Sequence, residues 1–268
     1  MHSIAGQLAA TQLPALEARM LLMHVLGKTR IQLITQSGYQ LTDSELATYL
    51  ALTQRRMHGE PIAYLTGQRE FYGLNLQVTP DVLIPRADTE LLVDLALQHA
   101  PKNSTILDLG TGSGAIAVAL ASQRSDLQVW ACDISSPALA VAQRNANAHG
   151  CTIRYTQSDW YTGLPAMQWH TIVSNPPYIE HNDSHLSQGD LRFEPVNALT
   201  DHADGLTAYR ALIQGAPARL RAGGWLLLEH GYNQAEAVRN LLATQPFTQI
   251  QSWRDLAGIE RVSGAQLT

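Results

Sequence analysis

Asn175-Pro176-Pro177-Tyr178 is a turn whose residue types restrict the chemistry it can do. Each proline biases the residue before it away from the α region, so Asn175 and Pro176 are expected to be extended and stiff. Neither proline has an N–H. The turn therefore offers acceptors, the Asn175 side-chain oxygen and the Pro176 carbonyl, with the Tyr178 ring as a flat wall. Two acceptors fixed side by side suit an NH2 group on a planar conjugated system, an amide or an exocyclic base amine. Holding both hydrogens aims a delocalised, weakly nucleophilic lone pair at an electrophile. Carbonyl dipoles then stabilise the positive charge that grows on nitrogen as the bond forms, and no strong general base is required. The competing reading is a proline-rich turn that only ends a strand.

A second constellation lies upstream, in Asp108-Leu109-Gly110-Thr111-Gly112-Ser113-Gly114-Ala115. Glycines at a strand-to-helix junction let a ligand approach the backbone, at a helix N-terminus that favours negative groups. The run satisfies G-x-G-x-x-A, so a dinucleotide fingerprint has to be weighed. Asp133, closing the next strand, is placed to accept the two ribose hydroxyls of an adenosine, which a dinucleotide and S-adenosylmethionine share. Asp108 separates the two: a carboxylate entering the loop repels a pyrophosphate but suits a ligand carrying an ammonium and a sulfonium. S-adenosylmethionine is the expected cofactor. Asp159 and Trp160 would flank the adenine, by polar contact and by stacking, although a structural role for Trp160 competes.

The elements that must position these residues follow from periodicity. From Ser104 onward strands and helices alternate, which implies a mostly parallel sheet covered by helices on both faces. Strands are expected at Thr105 to Leu109, Gln128 to Asp133, Thr152 to Gln157, Thr171 to Ser174, Trp225 to Glu229, Thr248 to Trp253 and Glu260 to Ser263. The last two, joined through Gly258, form an antiparallel pair. Helices are expected near Ala115 to Ser122, Pro137 to Ala148, Leu206 to Leu220 and Gln234 to Ala243, and another capped by Asp88 running through Gln98. Residues 179–204 have no period and read as a long loop beside the Asn175 turn. Before this region, Pro14 and Gly27 bracket one helix, and Thr42 with Glu45 forms a capping box for another. Alternation around Gly73 between Tyr64 and Val78 reads as a hairpin. The expected organisation is a helical domain at 1–60, a hairpin linker at 61–85 and an α/β domain at 86–268.

Composition narrows the partners. The chain has 268 residues, 45% apolar, a net charge of −5 and a pI near 6.0. That balance argues against broad nucleic-acid binding. The two cysteines, Cys132 and Cys151, lack metal-ligand spacing, and His181 to His185 reads as loop polarity, so no metal is expected. Met1 to Leu13 has no basic start or apolar core, and no run is long enough to span a membrane. A cytoplasmic monomer, with no membrane and no direct nucleic-acid partner, is the expectation.

Taken in order, Asp108, Gly110 to Gly114, Asp133 and Asn175 to Tyr178 resemble class I S-adenosylmethionine-dependent amino-methyltransferases. Glu70-Phe71-Tyr72-Gly73, Leu83-Ile84-Pro85-Arg86 with Asp88-Thr89-Glu90, and Phe193-Glu194-Pro195 with Ala198-Leu199 narrow the resemblance to the HemK (PrmC-like) family, the peptide chain release factor glutamine N5-methyltransferases. Ala87 stands where that family commonly has proline. The resemblance implies a Rossmann-like, seven-stranded, mostly parallel sheet with an antiparallel last strand, preceded by a substrate-recognition domain. It implies as substrate the glutamine of the Gly-Gly-Gln motif of class-1 release factors. Asn175 and Pro176 would hold the amide, Pro177 would shape the turn and Tyr178 would pack on the planar group. Gly110, Thr111, Gly112, Ser113, Gly114, Asp133, Trp160 and, from the shared turn, Asn175 would bind the cofactor. The nearest rival is an adenine-N6 methyltransferase on nucleic acid, whose flipped base would satisfy the same acceptors. A dinucleotide oxidoreductase leaves the Asn175 turn without work, and a non-catalytic binding module would differ by lacking turnover.

Overall fold

The structure, a computed structural model, describes residues 2–268; Met1, first residue of the expected helical domain, lies outside them. The chain divides into two compact units, one ending at Gln68 and one comprising Arg69–Thr268. The first is built of five helices, α1 (Ile4–Ala10), α2 (Ala15–Leu26), α3 (Arg30–Thr35), α4 (Asp43–Met57) and α5 (Ile62–Thr66). Pro14 and Gly27 (φ 59°) bound α2. At α4 the Thr42 hydroxyl accepts from Glu45 N at 3.3 Å and the Glu45 carboxylate accepts from Thr42 N at 2.7 Å, closing the capping box. A second box, Thr29 with Gln32, starts α3, and the Ser3 hydroxyl caps α1. Ile4, Leu21, Leu22, Leu33 and Tyr49 form the core of this unit, and Arg56 grips Glu17 with two 2.8 Å hydrogen bonds. The alternation expected from Tyr64 starts later. Pro61 opens α5 and Gly67 (φ 72°) ends it, so Tyr64 and Leu65 are helical.

In the second unit the hairpin pairs β1 (Gln68–Phe71) with β2 (Leu74–Gln77) through Tyr72 (φ 54°) and Gly73 (φ 75°). Its buried Phe71 and Leu76 belong to the core of this unit, so the hairpin is a packed part of it. The next helix, α6 (Glu90–His99), follows a 3-10 turn at Ala87–Thr89 and has no side-chain cap. Asp88, expected as that cap, pairs with Arg261 at 3.4 Å instead.

Then come β3 (Thr105–Leu109), α7 (Ala115–Gln123), β4 (Gln128–Asp133), α8 (Ser136–Ala148), β5 (Ile153–Gln157), β6 (Trp169–Ser174), α9 (Val196–Leu199), α10 (Thr207–Gly215), β7 (Leu220–Glu229), α11 (Ala235–Leu242), β8 (Phe247–Arg254) and β9 (Glu260–Leu267). The expected helix to Leu220 stops earlier, because Leu220 already opens β7. The strands order as β5-β4-β3-β6-β7-β9-β8, parallel except for β9, which runs antiparallel to both neighbours. This is the α/β methyltransferase sheet. Successive residues of β7 go to opposite faces: Leu227 packs in the layer with α6 and α7, Leu226 and Leu228 in the layer with α10 and α11. Among the described residues no helix is long and apolar enough to cross a membrane.

Candidate active site

The chain runs outward from β3 through β4 to β5, then returns to place β6 on the other side of β3, so β3 and β6 flank the topological switch point. Leu109 is the register partner of Ser174, whose hydroxyl donates to the Leu109 carbonyl at 2.7 Å. Gly110 and Asn175 therefore leave adjacent strands at the same level. Between them opens a cavity of about 500 Å³. Gly110, Thr111, Gly112, Ser113, Asp133, Asp159, Trp160, Asn175 and Pro177, all singled out from sequence, line it.

On one side the glycine loop folds back on β4: Gly110 N and Thr111 N both donate to the Cys132 carbonyl at 2.9 Å. Gly114 does not line the cavity. Its φ is 81°, and a Cβ there would lie 2.9 Å from Ala142 Cβ, so this glycine lets α7 start against α8. The Asp133 carboxylate accepts from Gly112 N and Ser135 N, each at 2.9 Å, one on each oxygen. Each oxygen keeps a lone pair for a hydroxyl. Burial holds its carboxyl above the usual range. Trp160 has a left-handed backbone (φ 45°), a strained conformation for a bulky residue, and its carbonyl accepts from the Ser158 hydroxyl at 2.7 Å. Its ring comes within 3.5 Å of where a Cβ on Gly110 would stand.

Asp108 sits differently from the open contact expected of it. It is completely buried beneath the loop and does not line the cavity. One oxygen accepts from the Thr111 hydroxyl at 2.6 Å and the other has no hydrogen-bond partner, while burial pushes the carboxyl up to about 7. Sequence reasoning passed over Ile134, which follows Asp133, lines the cavity and is 64% exposed. An apolar residue directly after a strand-ending carboxylate was the available signal.

On the other side, the Asn175 amide donates to the Thr89 hydroxyl at 3.3 Å, and among the described residues nothing donates to its oxygen. Pro176 and Tyr178 are outside the lining. The Tyr178 ring packs against the apolar layer that includes Tyr209, where burial holds its hydroxyl above the usual range, while its carbonyl accepts from the Gln234 amide at 3.0 Å. Ile179 N donates to the Leu199 carbonyl at 2.9 Å, so the turn's exit is pinned to the end of α9.

The 179–204 segment, expected as loop, carries two 3-10 turns, Ser184–Ser187 and Leu191–Phe193, as well as α9. It is anchored by Glu194, whose buried carboxylate accepts from Ile84 N at 3.0 Å and pairs with Arg86. Arg86, Pro195, Asn197 and Ala198 all line the cavity. The anchor was invisible in the sequence because its partners lie more than a hundred positions apart. The His181 and His202 rings lie 6.0 Å apart, and the described residues hold no cluster with the makings of a metal site.

Residues 1–67 match the PrmC N-terminal domain, and residues 87–191 match the methyltransferase small domain. The release factor glutamine methyltransferase of Burkholderia pseudomallei is 54% identical over 98% of this chain and 95% of its own, and that of Neisseria gonorrhoeae 52% identical over 96% and 94%. The chain belongs to the release factor glutamine methyltransferase family. A T. thermophilus 16S rRNA methyltransferase solved with AdoMet and guanosine shares the fold at 21% identity and a TM-score of 0.55, over 75% of this chain and 50% of its own.

S-adenosylmethionine is the methyl donor of this methyltransferase, and the cavity fits it. Gly110, Gly112 and Ser113 of the glycine loop, open lone pairs on Asp133 and the apolar faces of Ile134 and Trp160 surround one continuous space. The unpartnered buried oxygen of Asp108 lies below, suited to a cation above the loop.

Proposed function

We propose that this methyltransferase modifies the side-chain amide nitrogen (N5) of the glutamine in the Gly-Gly-Gln motif of class-1 peptide chain release factors. The observation that carries this reading is the state of Asn175: its amide N–H is engaged by Thr89 while its oxygen is left without a donor beside the cavity. A fixed acceptor at the end of β6, with the Pro176 carbonyl next along the chain, matches the two hydrogens of a primary amide. The family relatives are named for glutamine in release factors, which supplies the substrate that this acceptor pair fits.

S-adenosylmethionine supplies a methyl group on a positively charged sulfur. The residues then have three tasks. Asp133 and the glycine loop hold the adenosine end, Trp160 and Ile134 exclude water along the apolar wall, and Asn175 with Pro176 aims the amide lone pair at the methyl carbon. As the N–C bond forms and the S–C bond breaks, the two oxygens face growing positive charge on nitrogen; the surplus proton leaves to solvent. Neither step calls for a strong base. Pro177 shapes the turn, and the Tyr178 backbone keeps it in place through Gln234.

The test uses purified protein, labelled S-adenosylmethionine and an unmodified class-1 release factor, beside the same factor with its motif glutamine changed to alanine and a duplex DNA control. Label on that glutamine by peptide mass spectrometry, absent from the alanine variant and from DNA, is the expected result. Label on DNA alone would overturn the reading in favour of an adenine enzyme.

A further inference from the structure

Glu229 ends β7, one step beyond Leu228, the register partner of Ser174, so it stands beside Asn175. It is 2% exposed, does not line the cavity, and one of its carboxyl oxygens has no hydrogen-bond partner. Burying a carboxyl with an idle oxygen is costly, and such a group calls for an explanation. The side chains of Thr89 and Asn175 lie close enough to it to favour its ionised form. Thr89 thus accepts from Asn175 through its oxygen and has its own hydrogen free for Glu229.

An ionised carboxyl only accepts, so it demands the N–H side of the Asn175 amide and leaves the oxygen side turned away from it. A protonated one can donate. The amide can then turn over and face the substrate NH2 with hydrogens, donor against donor, and the acceptor is gone. Resting on the function given above, we propose that Glu229, acting with Thr89, is the positioning residue that fixes the Asn175 amide with its oxygen toward the substrate.

The surroundings of the carboxyl make this switchable. Burial, the largest cause, pushes it up to about 7; Asp88 raises it further, and Thr89, Arg261 and Asn175 oppose this. The Tyr209 hydroxyl donates to the Glu229 backbone carbonyl at 2.9 Å, the buried Tyr178 and Tyr209 hydroxyls both feel the carboxylate, and the ring of His230 turns away to Ser263 and the Gly231 carbonyl. With the neutral form prevailing below that pH, turnover falls as the medium is made acid. Asp108 also titrates near 7, but beneath the cofactor loop, so its ionisation is read in cofactor affinity and that of Glu229 in kcat at saturating cofactor.

The experiment measures release-factor methylation and S-adenosylmethionine affinity over about pH 6 to 8.5 for wild type, Glu229→Gln and Thr89→Val. Wild type should lose kcat toward acid. Glu229→Gln should bind cofactor within about twofold of wild type, run about tenfold slower at alkaline pH and show no acid limb in kcat. A variant with wild-type kcat, or with the acid limb intact, overturns the proposal. Should Glu229→Gln lose cofactor binding as well, through misfolding, Thr89→Val decides: unchanged kcat overturns the proposal, and lowered kcat with normal cofactor affinity supports it. Wild type that leaves the motif glutamine unlabelled overturns the function itself. Labelling by wild type with an indifferent Glu229→Gln overturns this inference alone.

Discussion

The cofactor wall and the substrate wall of the cavity meet where β3 and β6 pair, yet they are assembled from contacts of different reach. On the cofactor wall, Asp108 and Thr111 are three residues apart and Gly112 and Asp133 twenty-one, both within one strand–helix–strand unit. On the substrate wall, Asn175 reaches back eighty-six residues to Thr89 and Glu194 reaches a hundred and ten to Ile84. The first wall can form with its own segment, whereas the second waits for the closure of nearly the whole domain. The difference teaches that a methyl-donor pocket is a local device and that amide selection is a property of the assembled fold.

The sharpest break in that comparison is Asn175→Ala. Removing one preorganised acceptor should lower kcat by about a hundredfold or more, while cofactor affinity stays within a few fold, because the adenosine side is untouched. Equilibrium binding of S-adenosylmethionine beside single-turnover methylation checks it; lost binding with normal turnover of bound cofactor would sink the assignment. The mirror change is Gly114→Val. A left-handed β-branched residue with its Cβ 2.9 Å from that of Ala142 forces α7 away from α8 and should cost about 1–3 kcal/mol of stability together with most of the cofactor affinity. A melting curve superimposed on wild type would show that the close approach is not needed.

A gentler cut is Glu194→Gln, which keeps the shape of the anchor and removes its charge. The lost charge-assisted bonds to Arg86 and Ile84 N should cost about 1.5–3 kcal/mol and loosen the segment that brings Pro195 and Ala198 to the cavity. Hydrogen exchange should therefore rise across 179–204 and stay unchanged in the glycine loop. Equal rises on both walls would mean that they are not separate assemblies.

What could be read from the sequence follows the same division. The glycine loop, Asp133 and the strands of the sheet announce themselves through short-range patterns, and Gly27 and the Thr42–Glu45 box gave the limits of two helices. The Thr29–Gln32 box is the same kind of signal and would have revealed α3. Glu229, Thr89 and the Arg86–Glu194 pair give no local sign. A glutamate at a strand end reads as solvated charge until the neighbouring strand is known, and an arginine before a helix reads as surface until the distant segment that covers it is in place. Asp88 misled for a related reason: it has the residue type and position of a cap, but Arg261, far along the chain, claims its carboxylate.

Each wall also rests on a fully buried carboxyl, Asp108 under one and Glu229 under the other, both pushed up to about 7 mainly by burial. Unfolded, such groups titrate near about 4. Between those values the folded chain binds more protons than the unfolded one, so stability is fully present below about pH 4 and is lost as the pH rises through about 7. Carboxylates held low, such as Asp204 by Arg210 and Asp255 by backbone N–H groups, act in the opposite sense but only below about pH 4, since above it they are ionised in both states. The carboxylates held low are therefore separated from the two raised carboxyls on the pH axis, whereas His99, His170 and His230, held below the usual imidazole range mainly by burial, gain stability as pH rises toward about 6.5 and oppose part of the decline. Measured without cofactor from about pH 4.5 to 7.5, the melting temperature of Asp108→Asn relative to wild type should rise with pH as one carboxyl's loss is removed, and that of Glu229→Gln should do the same for the other. Because the two carboxyls lie under different walls, their effects should add. An Asp108→Asn curve parallel to wild type would mean that the carboxyl under the cofactor wall is already ionised in the folded chain, and the loop would then owe its shape to Thr111, Asp133 and the Cys132 carbonyl.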